Sequence, residues 1–369
     1  MIQRLGVFFA FLLASVLGSA AAHAYPSMIR HGYKMCSTCH VALRGGGLLT
    51  DYGRGVGGSG SVFPVDYKPS ESEFSKTLTA NGTFIHGLQF RMMGMNMRST
   101  TSIFPMQLDY LNSTKLSEKL RFEATAGLTP DRATAATVSF KFSDFVLRRA
   151  IVAYREEDKF EVSAGRDFIP AGLNIDDHTS YIRSRNRRNT TDFVTTVRAD
   201  LWNENLQVTP FVYLPSYQEA ATNRESGGGV RGEYFVTDHV SVGGFGLFGD
   251  TELITRRYFG VFTRLSTDRY GLLAELDLTQ RNVKSLSSGY FNQTVIYARP
   301  FFAVTEWLEM GWPVESLSVG APFAETGQQH GPDMYVRFTH ITSLIGNFRF
   351  TKRGTVSENL FFAQVLVNL

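Results

Sequence analysis

From about Leu78 to the last residue, apolar and polar positions alternate along this chain with a period of two. In KLRFEATAGL, Leu120, Phe122, Ala124 and Ala126 share one face, and Arg121, Glu123 and Thr125 share the other. In RYGLLAELDLT, Tyr270, Leu272, Ala274, Leu276 and Leu278 oppose Leu273, Glu275 and Asp277. DFVTTVRADLW and DMYVRFT repeat the pattern, with Arg198, Asp200 and Arg337 on the polar face. A period of two means extended backbone, because successive side chains point to opposite sides. The strands of a soluble sandwich average about 5–6 residues, whereas a strand that crosses a bilayer needs about 9–11. The runs here are of the longer kind and carry charge in mid-strand. They predict an all-β fold, a transmembrane antiparallel β-barrel with one lipid face and one lumen face.

The connections set the strand number. Short ones are NSTKLSE, REED, WNEN, VTDH, STDR, AVTE and ITSL. Long ones fall around Ser99 and Pro130, at Arg166–Asn189, Pro215–Gly228, Asp250–Thr255, Gln280–Ser288, Pro313–Pro332 and Lys352–Val356. Seven short turns between eight long loops give about sixteen strands, within a range of 14–18, with both barrel ends on the periplasmic side. The last stretch, ENLFFAQVLVNL, alternates to its end and resembles the terminal strand of outer-membrane barrels, with Leu369 where phenylalanine is usual. Arg148 and Arg149 are adjacent, so strict alternation sends one of them toward lipid or an interface. The longest loop carries Asp176, Asp177 and His178, then Arg183, Arg185, Arg187 and Arg188. Folded inward it would constrict the lumen and offer arginines to an anion; solvated outside it would do neither.

The amino terminus has a different character. Arg4, an apolar run from Leu5 to Leu17 and the ending Ala22-His23-Ala24 form a secretory signal over residues 1–24. The apolar run is too short to span a membrane as a helix. No cysteine follows the cleavage point as in a lipid-anchored protein. The formal net charge of +3, from 37 basic and 34 acidic residues, implies no nucleic-acid partner. Aromatic residues at 13% and 34 glycines suit a β protein.

Only two cysteines are present, and both lie in CSTCH, residues 36–40. Cys-x-x-Cys-His is the attachment sequence for c-type haem. One helical turn brings Cys36 and Cys39 to one porphyrin edge, where their thiols add to two vinyl groups, and His40 becomes the proximal iron ligand. A local disulfide, a thioredoxin-type pair and half a zinc site are the alternatives. The second lacks its βαβ context and the third lacks a second ligand pair. For the sixth ligand His31 is favoured, ahead of Met28, Met35, His178, Met93, Met95 and Met97. Arg44 and Arg54 are candidates to neutralise the propionates. Gly45, Gly46 and Gly47 permit positive φ and close approach to a flat cofactor. Residues Gly55 to Ser61 read as a flexible linker.

The predicted organisation is therefore a signal at 1–24, a monohaem segment at 25–60, a linker at 61–77 and a barrel at 78–369. The haem segment is too short to bury a porphyrin unaided. Because it precedes the first strand, it starts at the periplasmic mouth and is expected to fold inward as a plug.

MCSTCH, with GGGLLTDYGR after it and a barrel downstream, resembles the fused outer-membrane cytochrome–porins used by iron-oxidising bacteria. That resemblance covers the whole mature chain as an architecture and implies one covalent haem c. Cys36 and Cys39 match its attachment residues and His40 its proximal ligand. It implies electron relay between an extracellular donor or acceptor, ferrous iron among them, and a periplasmic c-type cytochrome or other carrier, in contact with outer-membrane lipid. No residue here matches an iron-substrate site. A solute porin in which the haem segment is a plug or gate is the second reading. A peroxidase-like haem enzyme is the third.

Overall fold

The computed structural model describes residues 26–43, 45–64, 84–97, 100–130, 142–156, 159–175, 177, 179–188, 192–215, 224–285, 289–339 and 341–368. The predicted signal, most of the 61–77 linker, Arg44, Asp176 and His178 lie outside them.

The strands run β1 (Phe84–Met97), β2 (Thr100–Lys115), β3 (Leu120–Pro130), β4 (Phe142–Glu156), β5 (Phe160–Phe168), β6 (Phe193–Trp202) and β7 (Leu206–Leu214). They continue with β8 (Ser226–Thr237), β9 (Val240–Asp250), β10 (Ile254–Ser266), β11 (Tyr270–Val283) and β12 (Tyr290–Ala303). The last are β13 (Leu308–Gly311), β14 (Val314–Val319), β15 (Glu325–His330), β16 (Asp333–Arg337), β17 (Thr342–Arg353) and β18 (Val356–Asn368). All pair antiparallel, and β18 pairs with β1 from Gln89↔Asn368 to Met97↔Leu360, so the sheet closes. Both β13 and β14 pair with β12, and both β15 and β16 pair with β17. Each such pair is one interrupted stave, and the barrel has sixteen staves, as the turn pattern predicts.

The interruptions correct one boundary. Pro313–Pro332 was expected to be a long loop, yet most of it is the hairpin β14–β15, whose residues pair from Val314↔His330 to Val319↔Glu325. Pro313 and Pro332 break the ladder because proline has no N–H to donate, and they do so at the same height on neighbouring staves. In sequence, two prolines resemble loop boundaries; here each only notches a strand.

The two faces are those the alternation assigns. Val197, Val212, Val230, Val261, Leu276 and Ile296 are exposed on the outside, while Glu123, Arg198, Asp200, Glu275 and Asp277 are buried inside. Tyr154, Tyr234 and Tyr270 are exposed close to the short turns, where an aromatic girdle meets the headgroups. A closed sheet satisfies every backbone group within hydrocarbon. With its apolar belt, this is a barrel of the bacterial outer membrane.

The Arg148–Arg149 conflict is resolved by a β-bulge. Arg149 pairs with Thr125 and Leu147 with Ala126, so Arg148 is the extra residue. The bulge resets the side-chain direction, and neither arginine meets lipid. Arg148 Nε bonds Asp109 at 2.8 Å, and Arg149 reaches Glu123 at 2.9 Å and Asp167 at 3.2 Å.

Val261 is 58% exposed in the middle of β10. A Val261→Arg variant is expected to lose about 2–4 kcal/mol of folding stability in bilayers. Urea titration of the barrel refolded into lipid vesicles measures this.

Candidate functional site: a plugged mouth and the chamber above it

Residues 26–43 and 45–64 occupy the barrel mouth on the short-turn side. Lys34 pairs with Asp238 at 2.8 Å. Arg30 bonds Glu306 and the Asp268 carbonyl, both at 3.2 Å. Arg155 of β4 donates to the Val41 carbonyl at 3.3 Å, and Arg264 of β10 donates to that of Lys34 at 3.1 Å. Leu49 packs on Ile341 together with Cys39. Near the far end, Val62 and Phe63 donate backbone bonds of 2.9 Å to Arg337 and Phe338. The segment is thus tied to turns around the rim, as a plug requires.

Within it, Cys36–Thr38 form a single 3-10 turn, with Cys39 N and His40 N both bonded to the Cys36 carbonyl at 3.2 and 2.9 Å. The turn brings the two cysteines together without a disulfide between them. His40 is fully buried, and its Nδ1 donates to the Gly46 carbonyl at 3.2 Å. This bond fixes the tautomer in which Nε2 is the unprotonated ring nitrogen, the form in which an imidazole is able to ligate a metal. The carbonyl is presented by Gly45, Gly46 and Gly47 at φ of 75°, 74° and 66°, the left-handed backbone expected of them. An antiparallel bridge between His40 and Leu49 closes this small loop.

The Gly/Ser stretch after it is a correction. Of the Gly55–Ser61 stretch expected to be a flexible linker, residues 55–59 belong to helix α1 (Asp51–Ser59). Thr50 caps it by accepting from Gly53 N at 3.1 Å. Gly53 lies against the Cys39 carbonyl, so closely that a Cβ there would collide with it. Gly53, just ahead of the stretch expected to be a linker, permits helix α1 to pack on the cysteine turn. Burial holds the Cys39 thiol above the ordinary cysteine range, with Cys36 adding to the shift.

The other predicted residues lie farther out. His31 sits at the rim, its Nε2 3.5 Å from Glu306 and its ring beside Tyr33. Met28 Sδ is 4.0 Å from Arg337. Arg54 is on α1, within electrostatic reach of His86 near the start of β1. Met35 lines the cavity described next, beside Cys36. Arg337 is a plug contact that the sequence did not single out. Its guanidinium donates to the Gly60 carbonyl at 3.1 Å.

Above the plug, the loop between β5 and β6 folds into the lumen. Its helix α2 (Tyr181–Ser184) and Ile169, Leu173 and Ile175 pack on inward-facing Phe245, Tyr258, Phe262 and Tyr297. Three of the four arginines proposed for anions are paired with the wall, Arg185 with Glu325 at 2.6 Å, Arg187 with Glu225 at 3.2 Å, and Arg188 with Glu275, while Arg183 donates to the Ile175 and Arg188 carbonyls of its own loop. Asp177 accepts from Arg349 at 2.6 Å.

Plug and loop enclose a cavity of about 250 Å³. Met35, Cys36, Leu43 and the three glycines form its floor; Ile169, Leu173, Arg183 and Arg188 contribute from the loop side. Arg91, Arg148, Arg149, Arg231 and Arg264 line its walls. The sequence did not single out these wall arginines as site residues. Their signal is only that they share the lumen face.

Two outcomes test this architecture. Gly53→Ala should force α1 off the Cys39 carbonyl, costing about 1–3 kcal/mol of plug docking, and speed tryptic cleavage after Lys34 roughly tenfold or more. The second concerns pH. Burial, then Arg30, lowers the His31 pKa below its usual 6.5 despite Glu306. The undocked segment therefore binds more protons just below that value. Docking should be full above pH ~6.5 and weaken as pH falls toward the lowered pKa, seen as faster proteolysis of the haem-free plug in acid.

No protein-family model and no curated protein matches the chain. Solved structures resemble it in shape. OmpT of Vibrio cholerae, as its loop L8 deletion mutant, aligns with a TM-score of 0.62 and 10% identity over 78% of this chain and 99% of its own. In-vitro folded OmpT in its trimer form aligns with a TM-score of 0.61 and 9% identity over 78% and 99%. An anion-selective porin from Comamonas acidovorans aligns with a TM-score of 0.54 and 13% identity over 77% and 98%. The fold is that of an outer-membrane barrel of the OmpT and porin type.

Proposed function

We propose that this chain is an outer-membrane electron-transfer protein carrying one covalent c-type haem in its plug. The observation that supports this most is the His40 Nδ1 bond to the Gly46 carbonyl, in a turn that brings Cys36 and Cys39 together beside a cavity. Those residues fit the group: Cys36 and Cys39 as thioether partners, His40 Nε2 as iron ligand. When bound, haem c supplies a one-electron ferric–ferrous couple. The chain's own residues do the rest. The Gly46 carbonyl orients the imidazole and raises its basicity. The buried Leu43, Leu48 and Leu49 keep water from the ligand side. The rim contacts hold the plug where a periplasmic cytochrome or other carrier reaches it from outside the mouth.

The hydrocarbon layer is ~30 Å thick, and the plug lies at one end of it. An extracellular partner must therefore be small enough to pass the inserted loop, as a soluble metal donor is. Ferrous iron suits this by size and by its one-electron chemistry.

A second reading, a solute porin with the plug as a gate, draws on the likeness to the anion-selective porin and on the arginine-lined lumen. Vesicles separate the two. Under electron transfer, purified protein in liposomes should pass electrons from external ferrous iron to an enclosed oxidised cytochrome while retaining small sugars and anions. High solute flux that ignores haem redox state, without electron transfer, would favour the porin. In addition, His40→Ala should keep covalent porphyrin yet change its ligation, seen as a shift of the haem absorbance bands from their wild-type positions.

A further inference from the structure

The chamber between plug and loop carries an imbalance of charge. Eight basic side chains line it, seven of them arginines, against three acidic ones, Asp109, Asp167 and Glu233. All three acids are already engaged. Arg148 holds Asp109 at 2.8 Å, Arg149 and Arg198 share Asp167 at 3.2 and 2.7 Å, and Arg231 and Arg264 share Glu233 at 2.7 and 2.5 Å. Lys34, Arg149, Arg188 and Arg198 are also matched from outside the lining, by Asp238, Glu123, Glu275 and Asp200, so the charge left over lies where Arg231 and Arg264 share Glu233, and Arg149 Nε is buried with no hydrogen-bond partner. Buried cations need a counter-charge, because the interior screens them poorly. Guanidinium pairs favour planar, two-oxygen anions.

We infer that this chamber is a carboxylate-binding site, with Arg149 and Arg231 as its principal donors. Two sources share that chemistry. One is the propionates of a porphyrin tethered at Cys36, which lines the same cavity, and this source rests on the proposed function. The other is a small free polycarboxylate admitted from the lumen, and this one does not. In either case the barrel wall supplies cations to the carboxylates.

The test uses the full chain in detergent micelles, as the wild-type protein and as C36S/C39S, with citrate as probe and isothermal titration calorimetry as readout. The haem-free C36S/C39S chain should bind citrate, should not bind glucose, and should bind less tightly as salt rises. Adding R149Q and R231Q should weaken citrate by about tenfold per arginine. These changes spare the fold, because Glu123 keeps Arg121, Asp167 keeps Arg198 and Glu233 keeps Arg264. Heat-modifiable gel migration confirms an intact barrel, and R231Q alone gives a milder variant. If haem-loaded wild-type protein excludes citrate, the propionates are the natural occupant; if it still binds citrate, a free acid is. Wild-type protein without covalent haem would remove the proposed function and leave the citrate arms as they stand. Absence of citrate binding by an intact C36S/C39S barrel, or binding that R149Q/R231Q does not weaken, overturns the inference.

Discussion

A backbone in hydrocarbon must find all its hydrogen-bond partners within itself, and this constraint organises everything else in the protein. The β1–β18 ladder is where it is met, since it turns an open sheet into one without edges. Once the sheet is closed, alternation has only one workable sense. The apolar side faces lipid, and the charged side is sealed into a lumen. Those charges then need partners at close range, and the lumen wall is accordingly a lattice. Arg121 joins Glu123 and Glu161, Arg155 joins Glu161, and Arg198 joins Asp167 and Asp200. Removing the sole partner of a buried charge is costly, so the lattice adds to the backbone ladder in holding the register.

The lumen is filled at two levels, and each filling is held by contacts matched to its place. The plug is tied to the turns by charge pairs and carbonyl bonds at its margin. The inserted loop is held by aromatic packing and by carboxylates that accept from its backbone. Leu173 N and Tyr181 N donate to Glu275 and Glu315, both at 2.6 Å. Gly172, at φ 54°, lies against the Glu275 carboxylate where any side chain would clash. The space left between the fillings is consequently small, arginine-lined and adjacent to Cys36.

Much of this was legible in the sequence because period-two alternation and turn chemistry are local signals. The faces of β3, β6 and β11 follow directly from KLRFEATAGL, DFVTTVRADLW and RYGLLAELDLT. Three features were not legible, and each depends on a partner distant in sequence. The bulge at Arg148 is set by Asp109 and by the pairing with β3. The notches at Pro313 and Pro332 are recognisable only when the two prolines are seen side by side. Helix α1 carries a glycine at position 53 because it lies too close to the Cys39 carbonyl for a Cβ. At the candidate site, CSTCH and the glycine triplet announced themselves. The chamber's arginines did not, because each looks like any other lumen-facing charge until the barrel closes and brings them around one cavity.

On the proposed function, the cysteine turn carries a covalent porphyrin inside a membrane barrel. Intact mass spectrometry of the mature protein, purified from outer membranes of a host competent in cytochrome c maturation, tests it most directly. The expected mass is higher than that of the polypeptide by one haem, retained after acid–acetone extraction and lost in C36S/C39S. A mature chain at the bare polypeptide mass, with no extraction-resistant iron porphyrin, would contradict it.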